Sequence, residues 1–292
     1  MKPPANRSSP ARIFCSLSPP AMQDIGVKAS YNIHVSPKDS GPNILGTAPT
    51  WADVDTQAGE NGNPLQAASS EEHEEIVETL LAHGADVNAR IGEDGDSLQA
   101  ASAGGHEGIV ETLLAHGADV NARAGMYGNA LQAASGGGYE RIVETLLAHG
   151  ADVNACAGVY GNALQAASAG GHEGLLETLL DHGANVNAPS GVYGNALQAA
   201  SVEGHERIVT TLLAHGADVN ARASEYGDAL QAASAEGHEG IVGTLLAHGA
   251  NVNACASVYG DALQAAFAGG HEGILETLLA HGADDNAADP RR

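Results

Sequence analysis

The sequence predicts an all-α solenoid of seven helix–loop–helix units, each carrying a short finger hairpin. Three observations predict it. The segment Leu-Gln-Ala-Ala begins at Leu65, Leu98, Leu131, Leu164, Leu197, Leu230 and Leu263, always 33 residues apart and without insertion. Self-similarity at such a period belongs to arrays in which each unit touches only its neighbours. Within each unit an apolar stripe recurs at helical spacing, as in Ile142, Val143, Leu146 and Leu147. Aromatic residues make up only 3% of the chain, so its core must be built from Ala, Leu, Val and Ile, small enough for helices to approach closely.

One full unit runs from Asn129 to Gly161 and reads NALQAASGGGYERIVETLLAHGADVNACAGVYG. Asn129 is a predicted N-cap, because its side chain can accept from the free amides of the first helical turn. Asn63, Asp96, Asn162, Asn195, Asp228 and Asp261 hold the same place in the other units. Pro64 follows Asn63 at the first helical position, where a missing N–H costs nothing. A short helix is expected over Leu131–Ser135, stopped by Gly136, Gly137 and Gly138. A second is expected over Tyr139–His149. Gly150 then falls where a left-handed cap is needed. Ala-Asp-Val-Asn-Ala and a glycine-punctuated turn complete the unit as an extended finger. Helices this short are marginal alone, so stacking on a neighbour must bury their stripes.

The 33-residue period, the Gly-His-x-x-Ile-Val-x-x-Leu-Leu-x-x-Gly-Ala-x-Val-Asn run and the helix–loop–helix–finger order resemble the ankyrin repeat family. That family's Thr-Pro-Leu-His start reads Asn-Ala-Leu-Gln here, with proline kept at Pro64, and Tyr-Gly precedes it, as in Tyr127-Gly128. The Tyr-Gly-Asn-Ala-Leu-Gln-Ala-Ala-Ser wording is similar to ankyrin arrays of filamentous fungi, which often form the C-terminal sensor of receptors with a central nucleotide-binding domain. No phosphate-loop glycine–lysine motif occurs in this chain. The resemblance implies a slightly curved array whose finger tips and first helices line a concave groove that binds another protein.

The repeat domain is assigned to residues 52–292, with units starting near 63, 96, 129, 162, 195, 228 and 261. Residues 52–63 (ADVDTQAGENGN) align with 118–129 (ADVNARAGMYGN) and form a leading finger. Residues 1–51, with proline and serine but little apolar periodicity, are expected to be a disordered head. Glu71, Glu72, Glu74 and Glu75 in the first unit suit a water-facing end. In the last unit Asp285 replaces a valine and Phe267 replaces the serine of the other six. A buried unpaired carboxylate is costly, so the Asp285 position is expected to lie open; Phe267 is expected to shield the end.

Charge narrows the partners. Residues 1–55 carry five basic side chains against four acidic ones. The remainder carries 7 Arg and no Lys against 32 Asp plus Glu, a net of −25. Such a surface repels phosphate backbones and anionic membranes and attracts basic protein segments. A protein with a basic or mixed polar–aromatic surface is therefore the expected partner, with neither nucleic acid nor membrane, and the chain is read as a monomer. No apolar run approaches the ~18 residues of a membrane span.

Histidines form two rows: His73, His106, His172, His205, His238 and His271 at second-helix starts, and His83, His116, His149, His182, His215, His248 and His281 at their ends. Neighbouring units stack ~8–10 Å apart, far beyond the ~2 Å bonds of one zinc ion. The first row is therefore expected to bond loop backbone and the second to bond helix-end carbonyls, and neither a metal nor a cofactor is expected. Cys156 and Cys255 lie three units apart, roughly 25–30 Å, beyond disulfide reach. With Cys15 they are read as free thiols of a cytoplasmic protein, a nuclear setting being the alternative. Seven similar surfaces offer no singular cleft where nucleophile, base and stabiliser converge, so no enzyme is expected.

Binding remains. The finger positions placed on the groove are Met126, Val159, Val192, Glu225 and Val258, beside Tyr127, Tyr160, Tyr193, Tyr226 and Tyr259. Tyrosine is enriched at binding hot spots; the alternative is that each ring packs on its neighbouring finger. Glu203 and Glu236, against Gly104, Gly137 and Gly170, and Arg141 and Arg207, against Gly108, Gly174 and Gly240, vary within the uniform frame. The function read from this is a protein–protein interaction scaffold. The alternative is a structural spacer array, or the detached sensor part of a larger fungal receptor, without a ligand of its own.

Overall fold

In a computed structural model, the described residues are 62–90, 95–123, 125, 128–158, 161–189, 191–222, 227–254 and 260–284. They hold fourteen helices in seven pairs: α1 Pro64–Ser70 and α2 Glu74–Ala82, α3 Ser97–Gly104 and α4 Glu107–Ala115, α5 Ala130–Gly137 and α6 Glu140–Ala148, α7 Ala163–Gly170 and α8 Glu173–Asp181, α9 Ala196–Glu203 and α10 Glu206–Ala214, α11 Ala229–Glu236 and α12 Glu239–Ala247, α13 Ala262–Gly269 and α14 Glu272–Ala280. The all-helical solenoid class predicted from the period is what the chain adopts. The head 1–51, nearly all of the leading finger, Asp285, Cys15 and Cys255 lie outside the described residues.

Each first helix has the predicted N-cap; the reference helix starts at Ala130, one residue before the expected Leu131, and ends later. Asn129 accepts from the Gln132 amide at 2.8 Å, and the same bond recurs at every cap, through Asp261 to Gln264 at 2.8 Å. The helix then runs through Gly136 and Gly137 and stops at Gly138, which is left-handed at φ 76°. Extra length comes from neighbours, since α5 is buried from Ala130 to Gly136 and packing outweighs the poor helix propensity of glycine. The second helices close with Gly150 at φ 86°. The Ala151 amide bonds Leu146 O and the Gly150 amide bonds Leu147 O, the paired 6→1 and 5→2 bonds of a left-handed helix end.

The fingers depart from the extended hairpin. Among the described residues they contain no strand, although an antiparallel bridge pairs Ala157 with Gly161. Local side-chain bonds compete with strand geometry: Asp86 Oδ1 accepts from the Asn88 amide, and Asp119 and Asp218 repeat this at Asn121 and Asn220.

The described residues fall in two compact units, one ending at Asp152 and one beginning at Val153. In the first, α1 packs on α3 and α3 on α5; in the second, α7 packs on α9, α9 on α11 and α11 on α13. The cores are aliphatic: Leu98, Leu131, Ile109 and Val110 in one, Leu197, Leu230, Ile208 and Val209 in the other, all at most 2% exposed. Burying each such side chain is worth about 1.5–3 kcal/mol.

Two polar ladders run along the repeats, one within each unit and one between successive units. The glutamine of Leu-Gln-Ala-Ala is buried in the first six repeats, and in four of them it serves both directions. In α11, Gln231 Oε1 accepts from the Asp228 amide while its Nε2 donates to Gly260 O at 2.9 Å in the finger that closes the same unit. Gln66, Gln99, Gln165 and Gln198 donate to Gly95, Gly128, Gly194 and Gly227. At the starts of α1, α3, α7 and α11 the Asn-x-x-Gln or Asp-x-x-Gln pair, which stands in place of Thr-Pro-Leu-His, forms a capping box with one donor to spare. The second ladder is the asparagine of Val-Asn. Asn187 donates to Gly216 O at 3.1 Å and accepts from the Asp218 amide at 2.8 Å. Asn88, Asn121, Asn154, Asn220 and Asn253 make the same two bonds.

Candidate interaction surface

Of the ten finger residues expected to meet a partner, two lie among the described residues, Val192 and Tyr193. Met126, Tyr127, Val159, Tyr160, Glu225, Tyr226, Val258 and Tyr259 lie outside them. Val192 is 49% exposed, whereas Tyr193 is 2% exposed. The Tyr193 hydroxyl donates to Glu203 Oε1 at 2.9 Å. At this finger the tyrosine adopts the packing alternative, with its ring inside and its polar tip on the last residue of α9.

Glu203 begins a strip along the C-terminal ends of first helices. Gly204 follows it at φ 81°, and a Cβ there would come within 2.6 Å of the His238 ring. Both the left-handed backbone and the overlying imidazole therefore require glycine. His238 Nε2 reaches Val202 O at 2.9 Å. One repeat on, Glu236 ends α11 and His271 Nε2 reaches Ala235 O at 3.0 Å. The Glu236 carboxyl is pushed above its ordinary value, first by burial and then by the Glu203 charge, with His238 and His271 opposing. Val192, Glu203 and Glu236 thus stand in consecutive repeats of one unit with their side chains open to water.

The histidine rows resolve into donors. In the first row His106, His205, His238 and His271 donate Nε2 to Ser70, Ala169, Val202 and Ala235. These are carbonyls of the last turn of the preceding first helix, not of a loop, which corrects the expected partner. The row bridges repeats because that turn has unpaired carbonyls to offer. In the second row every described Nδ1, from His83 to His281, lies 2.7–2.9 Å from the threonine carbonyl four residues back. A carbonyl only accepts, so Nδ1 carries the proton. Among the described residues no group of three or more His, Cys, Asp or Glu is placed to hold a metal ion. Cys156 is exposed, with Sγ at 3.5 Å from Asn154 O.

Arg141 and Arg207 sit in the first turns of α6 and α10 and pair with Glu107 at 3.4 Å and Glu173 at 3.1 Å of the preceding repeats. Both guanidinium groups are largely exposed, so each pair is worth ~0–1 kcal/mol. They belong to the second-helix surface, apart from the finger strip. Sequence reasoning missed the Tyr193–Glu203 bond and the asparagine ladder. The ladder's signal was visible as an asparagine at a fixed place in every period.

Two comparisons bear on kinship. A family model described as "Ankyrin repeats (3 copies)" matches residues 42–124, 130–223 and 197–289. Among solved structures, the crystal structure of the human ASB11 ankyrin repeat domain is similar, with a TM-score of 0.65 and 26% identity, covering 76% of this chain and 99% of that one. A comparison with curated proteins found no match.

Proposed function

Because this chain belongs to the ankyrin repeat family, whose repeats are generally protein-interaction modules, we propose that it is an interaction scaffold holding a partner protein on its finger and first-helix surface. The observation that carries the reading is the strip of Val192, Glu203 and Glu236. These side chains are open to water at places that vary along the array: Val192 corresponds to Met126 and Glu225 in other repeats, and Glu203 and Glu236 correspond to Gly104, Gly137, Gly170 and Gly269. Variation confined to exposed positions is what selectivity for one partner needs, because it leaves packing untouched. Met126, Tyr127, Val159, Tyr160, Glu225, Tyr226, Val258 and Tyr259 extend the proposed surface along the other fingers. The net charge of −24 favours a partner with basic or mixed polar–aromatic surface and disfavours nucleic acid and anionic membranes. No catalytic role, metal or cofactor belongs to this reading. Monomeric state and a cytoplasmic or nuclear setting accompany it, consistent with the exposed Cys156 thiol.

The test is proximity labelling or affinity capture with wild type, a Val192→Asp/Glu203→Lys/Glu236→Lys variant, and an Arg141→Ala control. Partners lost from the triple variant alone, at unchanged Tm, support the strip as the contact surface. Identical capture by all three refutes it. The spacer reading rests on the near-identity of the frame; it requires the variants to behave as wild type while deletion of one whole repeat changes function.

A further inference from the structure

The last described repeat carries an apolar face with no partner among the described residues. Phe267 is 77% exposed and Leu279 49% exposed, while Leu263 and Leu275 are half-buried. One repeat earlier the equivalents Leu230, Ser234 and Val242 are at most 1% exposed. We propose that this face is covered by a segment near the start of the same chain, Ala11–Ser18.

Three observations lead there. First, the occupant is not another repeat of this kind. In all six other repeats the place of Phe267 is a serine with 0% exposure, so a neighbour docked in the same way would collide with the phenyl ring. Second, it is not the first repeat of a second copy. That repeat presents Glu71, Glu72, Glu74 and Glu75, all exposed, and the face here is rimmed by Glu272, Glu276 and Asp284. Like charges would oppose each other across the contact. Third, the occupant must be both apolar and basic. Outside the described residues the chain offers such a stretch in Ala11–Ser18, reading ARIFCSLS between Pro10 and Pro19, with Lys2, Arg7 and Arg12 preceding any acid. Ile13, Phe14 and Leu17 supply the apolar side chains and Arg12 the positive charge. Residues 285–292 supply Arg291 and Arg292 but no apolar side chain beyond alanine and Pro290.

The experiment uses the full chain with a photoreactive benzoyl-phenylalanine replacing Phe14, a position outside the repeats. Irradiation followed by mass spectrometry should place cross-links within residues 263–279, inside one chain and at a yield independent of protein concentration. The yield should fall several-fold in Phe267→Ser, in Arg12→Glu and at high salt, where the charge attraction is screened. Circular dichroism confirms that Phe267→Ser, which restores the residue of the other repeats, remains folded. Cross-links elsewhere in the chain, no cross-links, or cross-links only between chains each overturn the proposal.

Discussion

The first and last described repeats carry nearly the same stripe and expose opposite halves of it. In α2, Ile76 is 38% exposed while Val77 is fully buried. In α14, Ile274 and Leu278 are fully buried while Leu279 is 49% exposed and Leu275 is half-buried. In α12, between neighbours, Ile241, Val242 and Leu245 are all at most 2% exposed. Each stripe therefore has one half that meets the preceding repeat and one that meets the following repeat. Position within the array, not the residue itself, decides whether a leucine is core.

That contrast can be broken by substitution. Leu212→Ala, in an interior stripe at 0% exposure, is expected to cost about 2–5 kcal/mol, whereas Leu279→Ala at the open half should cost under ~1 kcal/mol; chemical denaturation of the two measures the gap. Ser234→Phe would import the last repeat's residue into a closed position, with an expected loss of about 1–3 kcal/mol from overpacking. Equal stabilities for Ser234→Phe and wild type would mean the interior has room and would remove the argument from Phe267.

The asparagine ladder sits between these extremes. Asn220→Ala removes the bonds to Gly249 O and from the Asn251 amide and should lower stability by about 1–2 kcal/mol, each net bond counting ~0.5–1.5. Amide hydrogen exchange should show the loss at the junction of those two repeats. Glu72 offers a gain. It occupies the left-handed cap at φ 61°, where the other six repeats have glycine, and a side chain there costs about 1–2 kcal/mol. Glu72→Gly should recover part of that, up to ~1 kcal/mol after the added freedom of the unfolded chain, read as a higher denaturation midpoint.

The smallest effect concerns the caps. Burial raises the Asp96 and Asp228 carboxyls above 3.8, against the opposing amide bonds from Gln99 and Gln231. A raised folded value means that the native state holds the proton more tightly than the unfolded chain. These two caps therefore add stability below pH 3.8 that is lost as pH rises through the raised values. Asp228→Asn keeps the acceptor, as Asn129, Asn162 and Asn195 show, and should flatten that part of the pH–stability curve. An unchanged slope in thermal melts across mildly acidic pH would show that Asp228 does not titrate within it.

Much of the architecture was legible because each element announces itself locally. The caps, the helical period of Ile142, Val143 and Leu146, and the left-handed Gly150 all follow from short-range rules. The second-row histidines were legible for the same reason, since their acceptors lie four residues away. Less was legible where a partner sits a repeat distant. The first-row histidines bond a carbonyl 36 residues earlier, and Tyr193 buries its ring while bonding Glu203. Composition and period do not say which way a ring turns when solvent and a neighbouring finger compete for it.

By itself, then, the amino-acid order determined the repeat length, the helix pairs, their caps and the acidic surface, because these depend on residues within one period and on summed charge. Only the tertiary structure decided which half of each stripe is core, that Gln231 ties its helix to the finger closing its own unit, and that Asn220 ties one repeat to the next. Those outcomes depend on what lies across a junction, and an identical side chain is buried or bare according to whether a neighbour is there to exclude water from it.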